Sequence, residues 1–252
     1  MAGLGFALDF VRPDWPAPPS VRALSTTRDG GVSRGAYTSL NLGTHVGDDG
    51  DAVRRNRERL AAAAELTESP AWLAQVHGTR VVDAASADAD PEADASICAV
   101  RGPVCAVLTA DCLPVLLCDR AGAAVSAVHA GWRGLTGGVI ESAVTAFGAR
   151  GIAPDALLAW LGPAISARAY EVGEDVRGAL AQDELAALSP NERGRWQLDL
   201  YALARFRLRR AGITMISGGD LCTLSAPERF FSYRRDGVCG RQATLIWLVE
   251  AD

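Results

Sequence analysis

The chain has 252 residues, 49% apolar and 22% charged, which supplies one sizeable core and excludes a disordered chain. Its formal net charge of −5 would repel a phosphate backbone, so nucleic acid is excluded as an expected partner. All 25 basic residues are arginine, which excludes Schiff-base lysine chemistry and a P-loop and leaves anions to arginine or backbone.

The first residues, MAGLGFALDFVRPDWPAPP, lack the basic and long apolar regions of a secretory signal, and no apolar run reaches membrane-spanning length. A cytoplasmic location away from membranes is expected, with six reduced cysteines that are mostly small buried apolar residues. Neither the proline-rich 13–19 nor the Ala/Asp-rich 83–95 reads as a linker, so residues 1–252 are expected to form a single domain.

Residues 21–27 predict a strand, followed by a glycine-rich loop, RDGGVSRGAY, where backbone can approach a ligand closely. DDGDAVRRNRERLAAAAEL predicts a helix capped by Asp48 or Asp49, with Val53, Leu60 and Ala64 at helical spacing. AWLAQVHGTRVVDA alternates apolar and polar residues and predicts strands on either side of His77 and Gly78. The arginine runs at 54–59 and 205–210 read as solvated helix faces.

Three short apolar runs follow, 104–110, 114–119 and 123–130, separated by DCL and RAG. Their length and short connections predict an antiparallel meander, which would bring Cys112 and His129 to the same sheet edge. Beyond it, LTGGVIESAVTAFGARG predicts a helix and APDALLAWLGPAI a strand. GEDVRGALAQ and LDLYALARFRLRRAG predict two more helices, and RQATLIWLVE a closing strand.

The three histidines, His45, His77 and His129, all lie next to glycine or at polar-to-glycine junctions. His77, Cys112 and His129 together make a three-ligand set for zinc that leaves a fourth position open, as in catalytic sites. The spacing fits no zinc finger, and a Cys112–His129 nucleophilic dyad competes with the metal. Asp111 either orients a ligand or fixes the tight turn before Cys112. Arg28, Arg133, Arg234, Arg235 and Arg241 lie in polar or glycine-containing loops and are the candidates for gripping phosphate or carboxylate.

Seven stretches, SLNLGTHVGDD, LAQVHGTRV, TADCLPVLLCD, AVHAGWRGL, LGPAIS with YEVG, and FFSYRRDGVCGRQATLIWL, resemble the YfiH family from about Thr26 to Leu248. Its members are described as purine nucleoside phosphorylases and, under older names, as laccase-like multicopper polyphenol oxidases or peptidoglycan editing factors. The resemblance implies an α+β fold of mixed β-sheets layered with outer helices, an αββα-type sandwich with its site in a surface cleft. It implies zinc held by His77, Cys112 and His129, and phosphorolysis of adenosine, inosine and methylthioadenosine with deamination of adenosine. Purine nucleosides and inorganic phosphate are the implied partners, with Arg28 expected first on the substrate and Asn41, Arg133 and Arg234 after it. The editing-factor name keeps open an alternative, a Cys-His amidase or peptidase acting on cell-wall peptides. Four coppers with a trinuclear cluster call for many imidazoles, and three histidines cannot supply them.

Overall fold

The computed structural model describes residues 8–250; the first seven residues of the N-terminal stretch read above lie outside the described residues. In chain order the elements are β1 (Phe10–Val11), β2 (Val21–Thr26), α1 (Gly50–Ala63), β3 (Pro70–Ala71), β4 (Val81–Asp83) and β5 (Ala95–Cys98). Then come β6 (Val104–Thr109), β7 (Leu113–Asp119), β8 (Val125–Ala130), α2 (Trp132–Gly137), α3 (Val139–Gly148), β9 (Leu157–Leu161) and β10 (Glu171–Val172). The chain closes with α4 (Glu174–Ala179), β11 (Leu188–Pro190), β12 (Trp196–Leu198), α5 (Leu200–Arg210), β13 (Met215–Gly218), α6 (Tyr233–Asp236) and β14 (Gln242–Leu248).

Two mixed sheets pack face to face, one of five strands in the order β1-β2-β14-β6-β3 and one of six in the order β13-β9-β7-β8-β5-β4. Alternation along each strand decides what it packs against, because successive side chains leave opposite faces. Cys105 and Val107 of β6 meet Leu116 and Cys118 of β7 and Val125 and Ala127 of β8 between the sheets. Val104, Ala106 and Leu108 turn the other way, onto Leu60 of α1. Val115 and Leu117 turn outward onto Phe147 of α3 and Leu203 of α5. The layers are therefore helix, sheet, sheet, helix, the α+β sandwich that the family resemblance implied. No helix among the described residues is long and apolar enough to cross a membrane.

The meander does not form. β6 pairs with β14 and β3 in the five-stranded sheet, while β7 and β8 form a hairpin in the six-stranded one. Both faces of β6 are apolar, and the connection at Asp111 takes φ 91°, so the chain turns a corner into the facing sheet. Cys112 and His129 still share an edge, because the hairpin register pairs Leu113 with Ala130 and Pro114 with His129.

Two further expectations change. The helix expected over 135–151 is two helices, α2 ending and α3 beginning at Gly138, whose φ of 97° is left-handed and cheap only for glycine. Of the arginines read as solvated, Arg207 is buried, its guanidinium 2.6 Å from the buried carboxylate of Glu184 and 3.1 Å from Glu141. Arg57 covers the Trp72 ring at 4.1 Å and donates through Nε to the Leu42 carbonyl. The α1 cap is Asp49, whose carboxylate accepts from the Asp51 N–H. All six cysteines are free, four of them buried.

Candidate metal centre

Three side chains meet at the end of β8, at the mouth of a pocket. Cys112 enters it from the corner before β7 and His129 from the end of β8. His77 comes from the loop between β3 and β4, with φ 60°. Their ligand atoms all lie within 4.8 Å of one another, with His77 Nε2 3.9 Å from Cys112 Sγ. The two imidazole rings stand edge to face, centroids 4.8 Å apart. His129 is buried, Cys112 half-buried and His77 exposed, so the group is accessible from one side.

The loop carrying His77 is tied down from both flanks. Gln75 exchanges two hydrogen bonds with the backbone of Leu108, donating at 2.8 Å and accepting at 2.7 Å, so it extends the β6 ladder by a side chain. Asp94, wholly buried, accepts the N–H groups of Val76, His77 and Gly78 at 3.2, 2.9 and 2.6 Å, and its Oδ1 lies 2.7 Å from His129 Nδ1. Continuing the β7–β8 register places Cys112 opposite Gly131. A Cβ there would come within 3.0 Å of Cys112 Sγ and 3.2 Å of His77 Cδ2, so the missing side chain leaves room among the ligands.

These groups perturb one another. Burial alone would raise the Cys112 thiol, but the charge and hydrogen bond of His129, helped by His77, bring it down to about 6. Burial would likewise lower His129, yet the Cys112 thiolate and Asp94 raise it to about 9. Burial works to raise Asp94, and the bonds from His129, Gly78 and Val76 outweigh it and hold the carboxyl below its usual range. Two imidazoles and a stabilised thiolate at one mouth are the donor set of a borderline-soft divalent ion with an open position. A carboxylate on the remote nitrogen of a ligating histidine is the usual support of such a site.

The group opens into a pocket of ≈ 390 Å³ whose remaining walls include His45, Thr109, Tyr233 and Arg241. All three histidines of the chain thus line one pocket. Burial, with Arg241, Arg57 and His129 nearby, lowers His45 and so favours its neutral form. The Tyr233 wall is built by anchors on both sides: Gln242 of β14 exchanges two bonds with Phe231, and Ser232 caps α6. Asp111 accepts from the Arg234 N–H at 2.7 Å and from the Thr223 hydroxyl at 2.6 Å. Asp111 therefore fixes the turn and ties α6 to the corner beside Cys112, and it is Asp94 that touches a ligand.

Of the expected substrate residues, Arg28, Asn41, Arg133 and Arg234, none is among the described residues that line this pocket. Arg28 donates to the carbonyls of Thr38 and Pro227, both at 2.9 Å, and lies 4.7 Å from the Phe231 ring centroid. Asn41 is buried. Its amide donates to Gly43 and Asp48 and accepts from the N–H groups of Gly43 and Arg241, so it sets the backbone position of Arg241. Arg133 is exposed and stacks on Trp132 at 4.3 Å. Arg234 stacks on Tyr170 at 5.0 Å, donates to the Glu171 carbonyl and lines a neighbouring polar cleft of ≈ 660 Å³. Arg235 is spent on the carbonyls of Thr223, Leu224 and Phe230 and on Asp236. Of these five loop arginines, Arg241 lines the pocket itself.

Sequence reasoning missed Asp94, Gln75 and Tyr233. Asp94 sits in the Ala/Asp-rich stretch among similar aspartates, and nothing local marks it. Tyr233 lies within one of the quoted motifs but has no feature separating it from a surface aromatic.

The family model described as Multi-copper polyphenol oxidoreductase laccase matches residues 22–249. Proteins named Purine nucleoside phosphorylase YfiH from Shigella flexneri and Escherichia coli are each 52% identical over 242 residues, covering 95% of this chain and 98% of the relative. The crystal structure of a Neisseria meningitidis protein matches with a TM-score of 0.91 at 52% identity, over 96% of this chain and 99% of that one.

Proposed function

This chain belongs to the YfiH family, and from that membership we propose that it is a zinc-dependent purine nucleoside phosphorylase. The reaction joins a phosphate oxygen to the ribose C1′, breaks the N-glycosidic bond and releases the purine, which takes up a proton. Adenosine, inosine and methylthioadenosine are the proposed nucleosides, with hydrolytic deamination of adenosine as a second activity. The observation that carries the proposal is the group of His77, Cys112 and His129, assembled at the mouth of a pocket large enough for a purine.

His77, Cys112 and His129 would hold the zinc, and the space left by Gly131 fits an ion among them. Bound zinc supplies a Lewis acid for charge that develops on the purine or on an attacking water. The rest is the chain's own work. Tyr233, 61% exposed on the pocket wall, offers an aromatic face for a purine to stack on. Arg241 supplies positive charge inside the pocket, for the phosphate or for the departing base. Arg28 remains the first proposed substrate contact outside that wall, with Arg133 and Arg234 as further cations and Asn41 acting through the placement of Arg241.

Incubating the zinc-loaded protein with inosine or methylthioadenosine should release free base only when phosphate is present, and adenosine should yield inosine without phosphate. No product from any of the three would overturn the proposal.

A second reading has its own observation. Cys112, His129 and Asp94 form a chain of nucleophile, imidazole and orienting carboxylate, which also suits a Cys-His amidase or peptidase acting on cell-wall peptides. It requires activity that survives chelators and a covalent adduct on Cys112. Stoichiometric zinc that blocks labelling of Cys112 would count against it.

A further inference from the structure

We infer that Asp94 is the positioning residue of the centre, selecting the nitrogen through which His129 binds and setting the placement of His77 at the same time. The inference rests on the metal reading above and concerns a residue outside the ligand set.

The argument is one of valence. An ionised carboxylate only accepts hydrogen bonds, and Asp94 has no exposure to water through which to satisfy itself. Four donors surround it. The Val76 and Gly78 N–H groups reach Oδ2, and the His77 N–H and His129 Nδ1 reach Oδ1. A hydrogen bond at His129 Nδ1 requires the proton on that nitrogen, since two acceptors cannot pair. His129 then presents the lone pair of Nε2 to the mouth shared with Cys112 and His77.

The same carboxylate shapes the His77 loop. Three successive N–H groups converge on it, which wraps the turn around Asp94 and holds His77 at its left-handed φ of 60°. Asp94 also accepts the His129 N–H on its own carbonyl at 2.7 Å, so backbone and side chain both register β5 against β8 at this point. One buried residue thus fixes ligands from two separate elements. Asp111, adjacent to Cys112 in sequence, has both oxygens occupied by Thr223 and Arg234 and does not do this.

Two measurements test the inference. In zinc-loaded protein with 15N-labelled histidine, His129 should carry its proton on Nδ1, in a strong hydrogen bond, and bind through Nε2. The reverse assignment overturns it, and this measurement needs no variant. Second, Asp94→Asn should weaken zinc binding by roughly 10–100-fold in chelator competition. A role confined to stability would lower the melting temperature of Asp94→Asn while leaving its zinc affinity unchanged, and that result would also overturn the inference. A wild-type protein that retains no zinc would overturn the metal reading itself, a failure distinct from both.

Discussion

Asp94 and His129 lie 35 residues apart in sequence, and their side chains meet at 2.7 Å with both buried. That contact joins the start of β5 to the end of β8 and fixes the inner wall of the site. Cys112 and His77 close against it from the two neighbouring connections. The site is therefore a product of which strand ends and connections the topology brings together.

The empty space at Gly131 is required. Gly131→Ala would set a methyl group 3.0 Å from Cys112 Sγ, tighter than nine in ten real contacts of that kind. Overpacking of this sort costs about 1–3 kcal/mol, or else displaces the ligands. The expected outcome is weaker zinc binding by chelator competition, with the circular dichroism spectrum retained. Unchanged affinity would show that the three side chains do not close on one point.

Cys222 is expected to be the reactive thiol of the zinc-loaded protein. Burial works to raise it, but hydrogen bonds from Ser166 and Ser225 outweigh burial and lower it to about 7. Because the thiolate is the nucleophile, alkylation should speed up as pH rises through about 7 and level off above it. Burial raises Cys98, Cys105, Cys118 and Cys239, which should stay unmodified in the native protein. Peptide mapping after iodoacetamide at several pH values reads this directly.

Arg207→Ala should be the most damaging change remote from the site. It leaves the Glu184 carboxylate buried beyond water without its 2.6 Å partner and takes a contact from Glu141. Breaking a buried pair from one side costs about 3–5 kcal/mol. Urea unfolding should show that loss, while zinc affinity per folded molecule stays unchanged.

Asp111→Ala acts on the substrate wall. It removes the acceptor for the Thr223 hydroxyl and the Arg234 N–H, at about 1–3 kcal/mol for donors left unpaired. It also frees α6, which carries Tyr233. KM for the nucleoside should rise more than kcat falls, and zinc content should hold. A loss of zinc with KM unchanged would place Asp111 with the ligands instead.

What the sequence revealed depended on how local the cause was. The Asp49 cap, the arginine-rich α1 and the strand at β14 follow from residues within a few positions of one another. The pairing of Cys112 with His129 was legible because a short connection, residues 120–124, forces β7 and β8 into a hairpin, although the wider meander did not form. The partner of β6 was not legible, since an apolar run buried on both faces fits either sheet, and the choice is made by β14, over a hundred residues later. Asp94 was hidden for the same reason. Its role is set by four donors from other segments, and its own neighbours carry no trace of them.

The most direct test is anomalous diffraction at the zinc edge from crystals of zinc-replete protein. One peak per chain is expected, bonded to His77 Nε2, Cys112 Sγ and the His129 imidazole, and it should be absent from Cys112→Ala crystals of the same fold. A peak elsewhere, or none at full zinc loading, would contradict the metal centre and the phosphorylase built on it.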